Sequence, residues 1–227
     1  MHRATNAQFE ANPIGTRGIK FVEFFAANSH VGHSLFLALG FTPTLKHKSK
    51  DITVYQQGSV KFILNNDTES VEDHLRLTAI GVRVNNASEA YHALVERGAV
   101  PYKDSILRVP AITGVGNSLI YIVDDSNGKY ADFEILNESV ELGKSLVSIE
   151  SINHNVLTGN AKQTINFYEH LFDFRLSEFL YSPCGKIKIS INEEPTDGIQ
   201  SVTLAIKDYD KIIKTLPTQN SIKIIPK

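Results

Sequence analysis

The 227-residue chain is 42% hydrophobic and 21% charged, the proportions of an ordinary globular protein rather than a disordered one. A formal net charge of -2 supplies no basic stripe to neutralise a nucleic-acid backbone, and no apolar run reaches the roughly 20 residues of a bilayer-spanning helix. The single cysteine, Cys184, has no partner for an internal disulfide, so a reducing, cytoplasmic location is expected.

Residues 1–13 are polar, lack an apolar core and read as a flexible tail. Four segments then repeat one pattern, opening near Ile19, Leu77, Ile149 and Ile199: a strand, a polar turn, an amphipathic helix and a return strand. The first unit has a strand over Gly18–Ala27, a cap at Asn28 or Ser29, and Val31, Leu35, Phe36 and Leu39 on one helical face ended by Gly40. Strands at Asp51–Gln56 and Ser59–Leu64 follow, joined across Gln57-Gly58.

The second unit has Leu77–Val84, a capping box from Asn86 to Glu89, and a stripe of Ala90, Tyr91, Leu94 and Val95. Ser118–Val123 and Ala131–Ile135 are assigned to it as strands. The third runs Ile149–Val156, Asn160 with Gln163, then Ile165, Tyr168, Leu171 and Phe172, with Asp173 in the left-handed slot that Gly40 holds. Lys186–Asn192 is its one further strand, leaving the unit a strand short. The fourth has Ile199–Ile206, Asp208, Ile212, Ile213 and Leu216, and stops after its second strand. An α+β fold of tandem β-α-β-β-β repeats follows, with curved mixed sheets and helices outside. The halves are set at 14–136 and 145–227, with the acidic, Gly-containing Asn137–Lys144 as the boundary.

The paired repeat resembles the vicinal-oxygen-chelate, or glyoxalase-like, superfamily. Local sequence narrows the likeness to 4-hydroxyphenylpyruvate dioxygenases: Asn12–Phe25 (NPIGTRGIKFVEFF), Tyr55–Asn65 (YQQGSVKFILN), Pro110–Val123 (PAITGVGNSLIYIV), Asn166–Phe174 (NFYEHLFDF) and Ser182–Glu193 (SPCGKIKISINE) stand in unbroken order. The chain is identified as a shortened, divergent member of that family. The resemblance implies an Fe(II) dioxygenase of tyrosine catabolism, forming homogentisate through two histidines and a glutamate in the carboxy-terminal half.

Those ligand positions depart from the pattern. The match at Ile149-Glu150-Ser151 puts serine where the family has its first histidine, and Gly198-Ile199-Gln200-Ser201 puts serine at the second. The glutamate is expected beyond Lys227. Only Arg175–Tyr181 and Glu193–Asp197 stand where the family has longer pocket-covering excursions, which would open the cup. Strand alternation agrees with the alignment. Val202, Leu204 and Ile206 form the helix-facing side of one strand, as Ile152 and Val156 do on the other; His154 shares that side. Ser151, Asn153, Asn155, Ser201 and Thr203 therefore face the cup. Hydroxyls are poor ligands for a divalent metal that wants imidazole or carboxylate. His154 reads as a core histidine, and no metal ligand, cofactor or catalytic residue is assigned.

By resemblance, Asn192 and Gln200 match residues that line the family's pocket, so the expected pocket comprises Ser151, Asn153, Asn192, Gln200 and Ser201. An amide tying neighbouring strands together is the competing reading. Cys184 has no nearby histidine, and Gly114-Val115-Gly116 lacks the third glycine of a dinucleotide loop. The expected function is a metal-free binding or interaction module that is a pseudoenzyme of the family, and the alternative is a working dioxygenase. The expected partner is a small aromatic 2-oxo acid or another small molecule, not nucleic acid or membrane, with homo-oligomerisation left open.

Overall fold

The computed structural model describes residues 11–66, 75–126, 130–137, 146–207, 209–214, 216 and 221–227. Of the expected tail, residues 1–10 lie outside that set, but Asn12 is already tied to Thr16 through its side-chain amide at 2.9 Å. Residues 138–144 of the expected boundary also lie outside it.

Chain order gives β1 (Thr16–Phe25), α1 (Ser29–Ala38), β2 (Thr42–His47), β3 (Ile52–Gln57), β4 (Val60–Asn65) and β5 (Arg76–Val84). There follow α2 (Ala87–Glu96), β6 (Pro101–Tyr102), β7 (Ala111–Thr113), a 3-10 turn (Val115–Asn117), β8 (Leu119–Val123) and β9 (Phe133–Ile135). The remainder is β10 (Leu146–Val156), α3 (Ala161–Phe172), β11 (Arg175–Leu176), β12 (Leu180–Tyr181), β13 (Lys188–Glu193), β14 (Gly198–Ile206), α4 (Tyr209–Ile212) and β15 (Ile222–Pro226).

Among the described residues these strands form two mixed sheets. One has the order β6-β7-β8-β5-β1-β4-β3-β2-β9, the other β11-β12-β13-β10-β14-β15. The tandem repeat is thereby explicit. Each unit's first strand pairs in parallel with a later strand of the same unit, β1 with β4, β5 with β8, β10 with β13 and β14 with β15. The two units of a half join through their first strands, antiparallel: β1 with β5, and β10 with β14.

The third unit is not a strand short. Arg175–Tyr181 forms the two-residue strands β11 and β12, which complete the unit beside β13. Strands this brief leave no alternation to read in the sequence. Phe133–Ile135 also departs from expectation: it does not extend the second unit but pairs with β2, at the far edge of the sheet. The second unit is built instead from β6, β7 and β8. Phe133 of one edge then packs in a single cluster with Leu107 and Ala111 near the other, together with Phe21, Ile52 and Tyr121. A sheet whose two edges share a core must curl around it.

The other sheet faces carry a second core that runs through both halves. It includes Phe24, Phe36 and Leu94 from one half and Ile152, Tyr168, Leu171, Val202, Leu204 and Ile206 from the other. Helix α1 meets it through Gly32, Leu35 and Phe36. Val31, expected on that face, is 42% exposed, because the close approach to Leu64 and Leu75 falls at Gly32. Ile165 is likewise half-buried, and Thr164 turns inward instead. Asn28 and Asn86 accept backbone N–H bonds as helix caps. Asn160 does not, since its own backbone is helical (φ -94°, ψ -3°). Asp173 takes the left-handed conformation expected of it (φ 57°).

The halves approach closely at two glycines. A Cβ on Gly116, whose φ is 60°, would lie 2.4 Å from the Gly198 nitrogen. Gly116→Ala should therefore cost about 2–4 kcal/mol, from left-handed strain plus a backbone clash. Urea unfolding reads this as a lower midpoint; an unchanged midpoint would show that the halves do not meet here.

Candidate functional site: the polar face of the second sheet

Pairing register superimposes the two halves residue by residue. In the first half the β1–β5 ladder runs Ile19↔Val82, Phe21↔Gly81, Val22↔Ile80, Glu23↔Ala79 and Phe24↔Leu77, skipping Lys20 and Thr78. In the second, β10–β14 runs Ile149↔Leu204, Ser151↔Thr203, Ile152↔Val202, Asn153↔Ser201 and His154↔Ile199, skipping Glu150 and Gln200. The irregularities coincide, so Phe21 corresponds to Ser151, Glu23 to Asn153, Phe24 to His154, Ala79 to Ser201 and Gly81 to Thr203. A bulge bends a strand and re-aims its side chains, and both halves keep the same three irregularities, the third falling before Gly18 and Ser148.

At these equivalent positions the chemistry has diverged. In the first half Phe21 packs as a tilted ring 5.3 Å from Tyr121, and the space is closed by apolar side chains. Glu23, its one buried acid among the described residues, accepts hydrogen bonds from Asn65 Nδ2 and Tyr121 Oη, both at 3.0 Å. Burial pushes the Glu23 carboxyl above its usual range, and the bonds from Asn65, Tyr121 and Thr78 offset this only in part. Glu23 was not singled out from sequence, although an acid inside the apolar run Phe21–Phe25 is a visible anomaly.

In the second half Asn153, Ser190, Ser201 and Thr203 make the centre of the same face polar and neutral. Asn153 Nδ2 donates to Ser201 Oγ at 2.8 Å and to the Ser201 carbonyl and Thr203 Oγ1 at 3.3 Å. Asn153 Oδ1 accepts from Ser190 Oγ. Both ends of the amide are occupied, and Ser201 is fully buried. Asn155 Nδ2 donates to Gln200 Oε1 at 3.2 Å and Thr196 Oγ1 at 3.1 Å, at the exposed end of the same face. Ser151 is half-buried opposite Thr203. Asn192 and Gln200 are exposed. The structure thus joins Asn153 to Ser201 and Asn155 to Gln200, and leaves Asn192 and Ser151 outside the hydrogen-bonded cluster. Ser190, which the sequence reading passed over, is its fourth member.

His154 lies on the opposite face of β10. Its Nε2 is 2.8 Å from Tyr168 Oη on α3, and the ring is wholly buried. Desolvation holds the imidazole down at about 4, with a partial offset from the Gly198 backbone. Its counterpart Phe24 meets Phe36 at 5.1 Å. Phe36 is eight residues beyond the cap Asn28, as Tyr168 is beyond Asn160. The His154–Tyr168 pair therefore stands where the first half has two phenylalanines.

Iron(II) in a 2-oxo-acid dioxygenase needs imidazole and carboxylate donors. The concave face around Ser151 and Ser201 offers hydroxyls and amides, with Asn153, Ser190, Ser201 and Thr203 already bonded to one another. Among the described residues no three His, Cys, Asp or Glu side chains gather as a metal site. This donor set does not fit the ion. No helix among them is long and apolar enough to cross a membrane.

Comparison with known proteins places this geometry. Residues 9–138 match the family model described as hydroxyphenylpyruvate dioxygenase, N-terminal. Protein MelA of Shewanella colwelliana is 34% identical over 88% of this chain and 66% of its own length, so the chain spans about two thirds of that relative. A 4-hydroxyphenylpyruvate dioxygenase of Legionella pneumophila is 30% identical over 92% of this chain and 71% of its own. A mutant of 4-hydroxymandelate synthase from Streptomyces coelicolor shares the fold, with a TM-score of 0.72 at 15% identity, over 88% of this chain and 74% of that one.

The buried imidazole carries a pH signature. Below about 6.5 the unfolded chain binds a proton that folded His154 refuses until about 4, so stability falls as pH drops through that window. The loss is at most about 3 kcal/mol. Replacing the pair by the first half's solution, His154→Phe with Tyr168→Phe, should flatten the profile between pH 6.5 and 4. An unchanged slope in thermal unfolding would assign the effect to other groups.

Proposed function

Since the chain belongs to the hydroxyphenylpyruvate dioxygenase family, we propose that it is a member whose second cup does not hold the family's iron and which acts as a metal-free small-molecule-binding or interaction module. The observation that carries this reading is the Asn153–Ser201–Thr203–Ser190 web. It occupies the face where the resemblance puts the ligand positions, and it engages both ends of the Asn153 amide and the Ser201 and Thr203 oxygens internally. A metal site must hold its ion against water with anionic or imidazole ligands. Residues that merely orient ligands, as Gln200 would, cannot replace them.

Ser151, Asn153, Asn192, Gln200 and Ser201 are the proposed pocket lining. A small aromatic 2-oxo acid remains the ligand class suggested by the family, held by neutral hydrogen bonds rather than by chelation. A reducing, cytoplasmic setting and a homo-oligomeric state belong to the same proposal. The rival, a working dioxygenase, is favoured by the family-wide similarity at about 30% identity to proteins of that name.

Turnover separates the two. Purified chain supplied anaerobically with ferrous iron and 4-hydroxyphenylpyruvate, then exposed to oxygen, should consume no oxygen above the protein-free rate and form no homogentisate. Sustained oxygen uptake matched by homogentisate would overturn the metal-free reading.

A further inference from the structure

A cleft of about 570 Å3 opens where the start of β1 meets β10 between the two halves, within the size range of small-molecule sites and at the kind of boundary they favour. Its floor is apolar, contributed by Ile19, Val60 and Ile149. Ile19 and Ile149 are equivalent positions in the two ladders, and both pack on the shared core.

The walls are cationic. Arg17, Arg83, Lys186 and Lys188 line the cleft, against Glu150 as the one acid among its described lining residues. The excess is local, because the whole chain carries a net charge of -2. Asp125 is ion-paired with Arg83 and Lys20, and Glu150 accepts a hydrogen bond from Ser148. Arg17 reaches only the Asn85 amide oxygen, at 3.4 Å. Lys188 sits 3.7 Å over the Phe179 ring. Among the described residues neither Arg17, Lys186 nor Lys188 has a carboxylate partner, and the buried Nε of Arg83 has no acceptor.

Like charges gathered around low-dielectric walls repel one another and focus a positive potential into the space between them. An anion entering the cleft relieves that repulsion, while the three aliphatic side chains below favour a carbon body. We infer that this cleft is a binding site for a small organic anion, its body on Ile19, Val60 and Ile149 and its carboxylate or phosphate between Arg17 and Lys186. The site adjoins Ser151 at one end of the polar face but takes in none of Asn153, Ser190, Ser201 or Thr203, and it stands whether or not that face holds iron.

Calorimetric titration at constant ionic strength tests it, with phenyl phosphate and phenylacetate as probes. Saturable one-to-one binding of at least one probe is expected, and the head group that binds distinguishes a phosphate ligand from a carboxylate one. Arg17→Glu and Lys186→Glu should each weaken binding tenfold or more. Lys103→Glu, an exposed charge outside the cleft, should leave it unchanged. The milder Lys186→Gln, checked for native circular dichroism, separates lost binding from lost fold. Absence of saturable binding by both probes overturns the site. So does binding untouched by the cleft variants, or weakened as much by Lys103→Glu.

Discussion

The hydrogen-bonded register between β10 and β14 is the constraint on which the rest of the second half depends. A slip of one residue would send every side chain of a strand to the opposite face. What prevents it is burial: Ile152, Val202, Leu204 and Ile206 are wholly enclosed in the shared core and Val156 is equally buried, each worth about 1.5–3 kcal/mol relative to exposure. With those five held on the helix side, Asn153, Ser201 and Thr203 have only the concave face to occupy, and His154 has only the core. The hydroxyl and amide character of one face and the burial of His154 behind the other are two results of one register.

The two halves then show how one scaffold supports different fillings. The first closes its concave face with Phe21, Tyr121 and their neighbours, and tolerates Glu23 because Asn65 and Tyr121 donate to it. The second replaces Phe21 by Ser151 and Glu23 by Asn153, exchanging packed rings for a neutral hydrogen-bond web. On the helix side the divergence runs the other way, from Phe24 against Phe36 to His154 against Tyr168. One hydrogen bond pairs Tyr168 Oη with His154 Nε2 there, and breaking it alone would strand a donor or acceptor at about 1–3 kcal/mol. The bulges at Lys20 and Glu150 survive in both halves because they set strand curvature rather than side-chain chemistry.

Much of this was legible in the sequence because it rests on periodicity. The four opening strands, the helices over Leu35, Leu94 and Leu171, and the face assignment of His154 follow from alternation and from the 3.6-residue repeat. Short strands were not legible: β11 and β12 have two residues each, too few to display a period. The placement of β9 beside β2 was hidden for another reason, since partner choice at a sheet edge is made by curvature and not by the strand's own residues. Val31 and Ile165 were assigned to buried stripes by spacing, whereas the approach of the sheet selected Gly32 and Thr164. Ser190 was missed because its role exists only through Asn153, on a different strand.

Ferrous iron binding tests the central claim most directly. Under anaerobic equilibrium dialysis with the metal quantified, the intact chain should retain no more iron than its Ser151→Ala, Ser201→Ala double variant. One equivalent retained by the native chain and lost in that variant would contradict the account, showing that the concave face of β10 and β14 ligates iron despite its neutral donors.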